Sequence, residues 1–285
     1  MTSVLVTGAA GFVGRALVPT LRAAGHEVAT LVRTDGDVCD AATWQALPRT
    51  DVVVHLAARQ FVPDSWKEPA EFLRVNVQGT AAALAHARRH GARCVFLSSY
   101  LYGQPAFLPI AEDAPLQAVN PYALSKQLAE AVCEFHAAHL NVPVAVLRPF
   151  NLYGPGQAEE FLLPSIMRQA LSGRAIRVKD LEPRRDYVHL HDVLGAIRAA
   201  IGFRGDWGVF NVGSGRSYSV AEVIALVQAA LGTDLPVESE GVRRPGEILD
   251  TVADIRRAAD VLGWAPTVSF EAGIRAMCEA ARPLP

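Results

Sequence analysis

The chain has 285 residues, 51% of them hydrophobic and 20% charged, with a net charge of −2. That is apolar material for one large α/β unit with a smaller lobe, and the near balance of charge argues against nucleic acid as a partner. No apolar run approaches the roughly 18 residues that span a bilayer, and MTSVLVTGAAGFVG has no basic stretch ahead of a long apolar one, so neither a membrane span nor a signal peptide is expected.

Short apolar runs rich in β-branched residues recur along the chain: SVLVTG, HEVATLV, DVVVHLAA, RCVFLSS, VPVAVLRP and WGVFNVG. Stretches of helical character separate them, among them Gly14 to Ala24, Pro69 to His90 and Pro121 to His139. Strands alternating with helices predict a parallel sheet covered on both faces, with right-handed crossovers. Past Pro149 the runs shorten, and prolines and glycines crowd FNLYGPGQ. Residues 1–150 plus about 188–213 are therefore expected to form the main domain, and residues 151–187 plus about 214–285 a smaller lobe over the carboxyl edge of the sheet. The four cysteines, Cys39, Cys94, Cys133 and Cys278, are widely spaced. They read as free thiols of a cytoplasmic protein, and no metal site is expected.

TGAAGFVG (residues 7–14) follows the first strand and opens the first helix. In that position Gly8 permits the tight turn, Gly11 lets backbone approach a pyrophosphate, and Gly14 lets helix and strand pack closely. The N–H groups at the helix start, around Phe12 and Val13, offer partial positive charge to phosphates. A dinucleotide-binding, Rossmann-type doubly wound sheet is the fold class this predicts. The second strand bears on which dinucleotide. Forms that bind NAD place an acid at its end for the ribose 2′-hydroxyl. Here Val32 and Arg33 stand there. An arginine suits a 2′-phosphate, so NADPH is favoured over NAD. The alternative has Arg33 over the adenine ring and Asp35 receiving the ribose. Asp37 and Val38 are placed to meet the adenine amino group.

In NPYALSK (residues 120–126) the proline suits a first helical turn. Tyr122 and Lys126, four apart, share one helix face. A free phenol has a pKa near ~10. An ammonium ~5 Å away at an effective dielectric of ~20 favours phenolate by ~3 kcal/mol, about two pKa units. With the positive ring of an oxidised nicotinamide pushing the same way, that would bring the phenol towards the neutral range where acid/base transfer is efficient. For these residues taken alone the alternative is a solvated helix face, and the dinucleotide site upstream favours the proton-transfer pair.

Together with HLAA (55–58), NVQGT (76–80), SSYLYG (98–103), RPFNLYGPGQ (148–157), RRDYVHLHDV (184–193), NVGSG (211–215) and RRPGE (243–247), these motifs resemble, in order and over nearly the whole length, the extended short-chain dehydrogenase/reductases of the nucleotide-sugar epimerase/dehydratase group. The resemblance implies that Tyr122 is the acid/base group and that Lys126 partners it and holds the nicotinamide ribose. It implies that a serine after the fourth strand bonds the reacting oxygen. Strand alignment points to Ser99, while counting back from Tyr102-Gly103 points to Ser98. Leu56, Ala57 and Ala58 are expected beside the cofactor, with His55 packed. Asn76 is expected to be a buried, satisfied amide, and Pro149 to face the nicotinamide. Asn151, Arg185 and Arg244 match positions that contact a nucleoside diphosphate, which guanidinium groups suit. Arg185 has an alternative use in a salt bridge with Asp186 or Asp192. Glu247, where the group usually has Asp, is expected on the substrate side, holding a ribose or a neighbouring backbone. A homodimer built on the helices at 69–90 and 121–139 is expected as well.

Ser99-Tyr100-Leu101-Tyr102 has no carboxylate where 4,6-dehydratases carry an acidic pair. Two reactions therefore lead: NADPH-dependent reduction of a nucleoside-diphosphate 4-keto-6-deoxyhexose by hydride delivery at C4, and 4-epimerisation with tightly bound NAD. Arg33 favours the reductase. A decarboxylating enzyme acting on a uronic acid and a non-catalytic, cofactor-binding regulatory protein are the more distant alternatives.

Overall fold

The structure is a computed structural model that describes residues 1–242 and 247–281. Each of the six apolar runs supplies one strand: β1 (Ser3–Thr7), β2 (Glu27–Leu31), β3 (Val52–His55), β4 (Arg93–Leu97), β5 (Val144–Pro149) and, further on, β9 (Trp207–Val212). They form one sheet in the order β2-β1-β3-β4-β5-β9, and every neighbouring pair is parallel. Side chains alternate across the sheet, and both faces are covered. Val4 and Val6 of β1 join the core under α1 (Phe12–Ala23) and α8 (Leu190–Ile201). Leu5 joins the core under α5 (Gly79–His90) and α6 (Pro121–Leu140). This is the expected Rossmann-type architecture. Strand order reverses between β1 and β3, and it is outside the carboxyl ends of strands at such a point that open α/β sheets bind ligands.

Three short helices and a π-helical turn complete the main domain: α2 (Ala41–Gln45), α3 (Val62–Lys67), α4 (Pro69–Leu73) and the turn Arg74–Gln78. The expected helix from Pro69 to His90 is thus a short α-helix, a π-turn and α5 in succession. The wider turn carries Asn76 into the interior, where its side chain is 1% exposed.

The smaller lobe has a three-stranded sheet of β10 (Ser217–Ser219), β8 (Arg184–His189) and β6 (Asn151–Tyr153), and a parallel pair of β11 (Val237–Ser239) with β7 (Ile176–Val178). Helices α7 (Leu162–Ser172), α9 (Val220–Leu231) and α11 (Phe270–Ala281) close over a second core that includes Ile166, Ile224 and Ile274. One segment departs from the division drawn on the sequence. Helix α10 (Arg256–Leu262), expected in the lobe, returns to the main sheet, where Ala258 and Trp264 enter its core. Asp192 of α8 is the reason. Its carboxylate accepts the Thr267 and Val268 N–H groups (2.9 and 3.1 Å), and its carbonyl accepts the Trp264 indole N–H (2.9 Å). Among the described residues no helix is long and apolar enough to cross a membrane.

Candidate active site

The glycine turn is built to the tolerance of bare backbone. Gly8 has φ +66°, and a Cβ there would meet the Ala57 nitrogen at 2.8 Å. A Cβ on Gly14 would lie 2.4 Å from the Gly8 carbonyl. Gly11 caps α1 with no side chain bonded to the first-turn N–H groups, so Phe12 and Val13 leave that helix end open to an anion. Thr7 binds the two strands at the switch point together. Its Oγ1 accepts from the Leu56 and Ala57 N–H groups (3.2 Å each) and lies 2.8 Å from His55 Nδ1. Burial, aided by the charge on Lys126, pulls the His55 pKa down to about 3, so the imidazole is neutral and packed. Leu56, Ala57 and Ala58 run half-buried past the glycine turn. This cradle of glycines, small residues and open N–H groups fits a dinucleotide.

Beyond β2 the chain turns on Asp35, whose carboxylate accepts the Val32 N–H (2.9 Å). Arg33 stands exposed beside this turn. Asp37 accepts the Cys39 N–H (2.8 Å) and pairs with Arg74 of the π-turn (2.9 Å). The backbone bond and the guanidinium hold its carboxyl below the usual range. Val38 packs against Gly79, and its carbonyl accepts the Trp44 indole N–H (2.7 Å).

The other wall of the cleft is the start of α6. Asn120 caps it by accepting the Ala123 N–H (2.8 Å), and Pro121 follows in the first turn. Tyr122 then faces the loop after β4, where the Ser99 side chain comes near enough to lower the pKa of the phenol. The two candidate serines part company here. Ser98 continues the sheet, its N–H bonded to the Leu147 carbonyl (2.8 Å), and its buried Oγ has no hydrogen-bond partner. Lys126 is 2% exposed, with Nζ donating to the Leu97 carbonyl (2.7 Å) and lying 4.1 Å from the centre of the Phe96 ring.

The electrostatics differ from the expectation. Burial pushes the Tyr122 phenol up from its ordinary value, and the nearby Ser99 side chain only partly opposes this. Burial also pulls Lys126 down to about 8, against the opposing influence of Cys133 and Glu130. The arithmetic from spacing counted only the attraction between the charges at an effective dielectric of ~20 and left out burial. Here desolvation dominates both groups, and the amine is turned to a backbone carbonyl.

Asn76 is fully engaged. Its side chain accepts the Arg59 N–H (2.8 Å) and donates to the Arg59 carbonyl (2.9 Å) and to Ser125 Oγ (2.8 Å). Ser125 lies between Tyr122 and Lys126, so Asn76 ties the HLAA loop to α6. Pro149 ends β5. Phe150 follows it and stacks on Tyr100 at 5.4 Å between ring centres. Sequence reasoning missed Tyr100 as part of this wall. Its signal was position alone, directly after Ser99.

On the lobe side, Asn151 opens β6 and donates to the Asp186 carbonyl (3.2 Å). Arg185 and Glu247, both expected to face the substrate, form an ion pair with each other, and Arg185 also donates to the Ile248 carbonyl (2.6 Å). The partners considered for Arg185 are occupied elsewhere. Asp186 accepts the N–H groups of Ser214 (2.7 Å), Gly215 (3.0 Å) and Ala253 (3.0 Å), and Asp192 holds the 264–268 strap. Arg244 lies outside the described residues. Main domain and lobe touch across the cleft mouth where Phe61 meets Phe161 edge-on (6.2 Å) and where Arg15 donates to the Gly156 carbonyl (3.4 Å). Among the described residues no cluster of three or more His, Cys, Asp or Glu side chains is placed to hold a metal.

Known proteins share this fold. The chain is 33% identical to a GDP-6-deoxy-D-mannose reductase of Pseudomonas aeruginosa, over 95% of this chain and 94% of that one. It is also 33% identical to a UDP-glucose 4-epimerase of Mycolicibacterium smegmatis, over 95% of each. The structure of RMD from Pseudomonas aeruginosa complexed with NADPH superposes with a TM-score of 0.90 at 31% identity, over 98% of both chains. Residues 4–213 match the NAD dependent epimerase/dehydratase family. With the glycine turn, the Tyr122–Lys126 helix and the substrate lobe in place, the chain belongs to that family, the extended short-chain dehydrogenase/reductases that act on nucleotide sugars.

Proposed function

We propose that the enzyme is an NADPH-dependent reductase of a nucleoside-diphosphate 4-keto-6-deoxyhexose. The observation that carries this reading is the hydroxyl pair of Tyr122 and Ser99, set at the carboxyl end of β4 with buried Lys126 one helical turn away. A reduced nicotinamide held by the glycine turn and by Leu56, Ala57 and Ala58 would supply the hydride for C4. Tyr122, kept protonated by burial, gives its proton to the C4 oxygen, and Ser99 donates a hydrogen bond to the same oxygen as charge develops on it. Lys126 supplies the positive charge that offsets the phenolate left behind, and Asn76 holds the helix turn on which both sit. Arg33 supports NADP over NAD, because it is exposed at the end of β2 while Asp35, the alternative acceptor for a ribose, is bonded into its own turn.

The substrate diphosphate is assigned to Asn151, Arg185 and Arg244, with Glu247 orienting Arg185 towards it. The resemblance to a GDP-6-deoxy-D-mannose reductase agrees with this reading. The second reading, a 4-epimerase with retained NAD, has the equally similar UDP-glucose 4-epimerase in its favour. Mixing the purified enzyme with NADPH and the keto sugar nucleotide separates the two. Net NADPH oxidation is expected, whereas tightly held NAD with no net consumption would establish the epimerase.

The protein is further assigned as a homodimer. Leu124, Leu128 and Phe135 form an exposed apolar stripe on α6, and Trp66 of neighbouring α3 is 64% exposed. A monomeric mass at micromolar concentration would refute this.

A further inference from the structure

Between β4 and α6 the chain runs through residues 98–120 without a helix or regular strand. Ser99 stands near its start, and Asn120 at its end caps the helix that carries Tyr122. A connection this long, left unpinned, would let the two hydroxyls drift relative to each other.

Five buried side chains from five parts of the sequence pin it. The Tyr102 hydroxyl donates to Asn211 Oδ1 on β9 (2.5 Å) and accepts from Arg148 Nη1 on β5 (2.9 Å). Arg148 forks onto Glu130 of α6, with Nη2 2.5 Å from Oε2 and Nε 3.0 Å from Oε1. Its Nη1 also reaches the Glu112 carbonyl (3.0 Å), and the Glu112 carboxylate accepts the Asn211 N–H (2.9 Å). Each of these residues is 8% exposed or less. Glu130 lies on the helix face of Tyr122 and Lys126, two turns beyond the tyrosine. The network therefore grips both limbs of the loop and the helix it leads into. A fully satisfied buried network of this kind fixes one arrangement, because any slip strands a desolvated polar group.

We propose that Tyr102 is a positioning residue for the Ser99–Tyr122 pair. Its hydroxyl, shared between Arg148 and Asn211, sets the seat of the Ser99 limb against β5 and β9 and so aims Ser99 at the Tyr122 hydroxyl. The inference rests on the reading of Ser99 and Tyr122 as the reacting hydroxyls. Tyr102 is the member of the network on the Ser99 limb, three residues on. Its ring also contacts Phe150 (6.3 Å), which stacks on Tyr100, the neighbour of Ser99.

The test is a double-mutant cycle in turnover on the full chain, with NADPH and a nucleoside-diphosphate 4-keto-6-deoxyhexose. Tyr102→Phe keeps the ring contacts and the Arg148–Glu130 pair. It is expected to lower kcat about tenfold while KM and the NADPH Kd stay within about twofold, at temperatures where the variant is fully folded. Ser99→Ala lowers kcat as well, and the double variant is expected to be no slower than Ser99→Ala alone, because Tyr102 acts through Ser99. Wild-type kcat in Tyr102→Phe, or losses that multiply in the double variant, would overturn the inference and leave the catalytic reading standing. Full turnover in Ser99→Ala would refute the catalytic reading, and the inference with it. If Tyr102→Phe does not fold, Arg148→Lys keeps a charge opposite Glu130 and removes the Nη1 contact to Tyr102. The same coupling to Ser99→Ala is expected there, and multiplying losses overturn the inference.

Discussion

Replacing Lys126 with methionine should make the protein more stable and almost inactive at the same time. The ammonium is 2% exposed, rests on the Phe96 ring and has the Leu97 carbonyl as its hydrogen-bond acceptor. Its pKa falls from 10.5 to about 8 on folding, chiefly through burial. Each pKa unit is 1.36 kcal/mol, so carrying the charge into the fold costs about 3 kcal/mol at neutral pH. Methionine fills the same space without the charge, and it loses the bond to Leu97, worth about 1 kcal/mol. The net gain is about 2 kcal/mol. The sign of the pH dependence follows from the lowered pKa. The unfolded chain holds the proton up to 10.5 and the folded one only to about 8, so wild-type stability rises between those values and the advantage of the variant fades across the same window. Denaturant titrations of the cofactor-free protein at pH 7 and above pH 10 measure this, alongside turnover, which should fall by at least about a hundredfold. A variant that is destabilised at pH 7, or whose difference from wild type does not change with pH, would refute the reasoning about burial. Retained turnover would refute the role given to the amine.

Arg33→Asp should move coenzyme preference from NADPH towards NADH by at least about tenfold in kcat/KM, because a carboxylate repels a 2′-phosphate and accepts from a ribose hydroxyl. An unchanged preference would mean that the phosphate lies elsewhere. Ser99→Ala should cost about ten- to a hundredfold in kcat, and Ser98→Ala less than about twofold, since Ser99 acts on the Tyr122 phenol while the buried Ser98 hydroxyl has no hydrogen-bond partner. The reverse pattern would restore the count from Tyr102-Gly103.

Much of the main domain could be read directly from residue patterns. The six β-branched runs are the six strands, because parallel strands buried on both faces need continuous apolar sequence. The glycine turn was equally plain, since backbone packed as tightly as at Gly8 and Gly14 leaves glycine as the only residue that fits. The lobe was harder. Its strands are only three residues long where they pair, as at Asn151–Tyr153 and Ser217–Ser219, and such short pieces carry no periodicity. The return of α10 to the main core depends on Asp192, whose partners are 75 and 76 residues away. The site residues were visible as types and spacings, while their electrostatics were not. The spacing of Tyr122 and Lys126 gives a distance along a helix, and it says nothing of the desolvation that moves both pKa values. Arg185 and Glu247 were each expected, from their motifs, to contact the substrate. That they pair with each other depends on a fold that brings residues 62 apart together.

The most direct test of the central claim is to follow the keto sugar nucleotide and NADPH together in wild type and in Tyr122→Phe. Wild type should form one reduced sugar for each NADPH oxidised, and the variant should bind both ligands yet lose turnover by about three orders of magnitude, as expected when the proton donor is removed. Turnover in Tyr122→Phe near the wild-type rate would contradict the account.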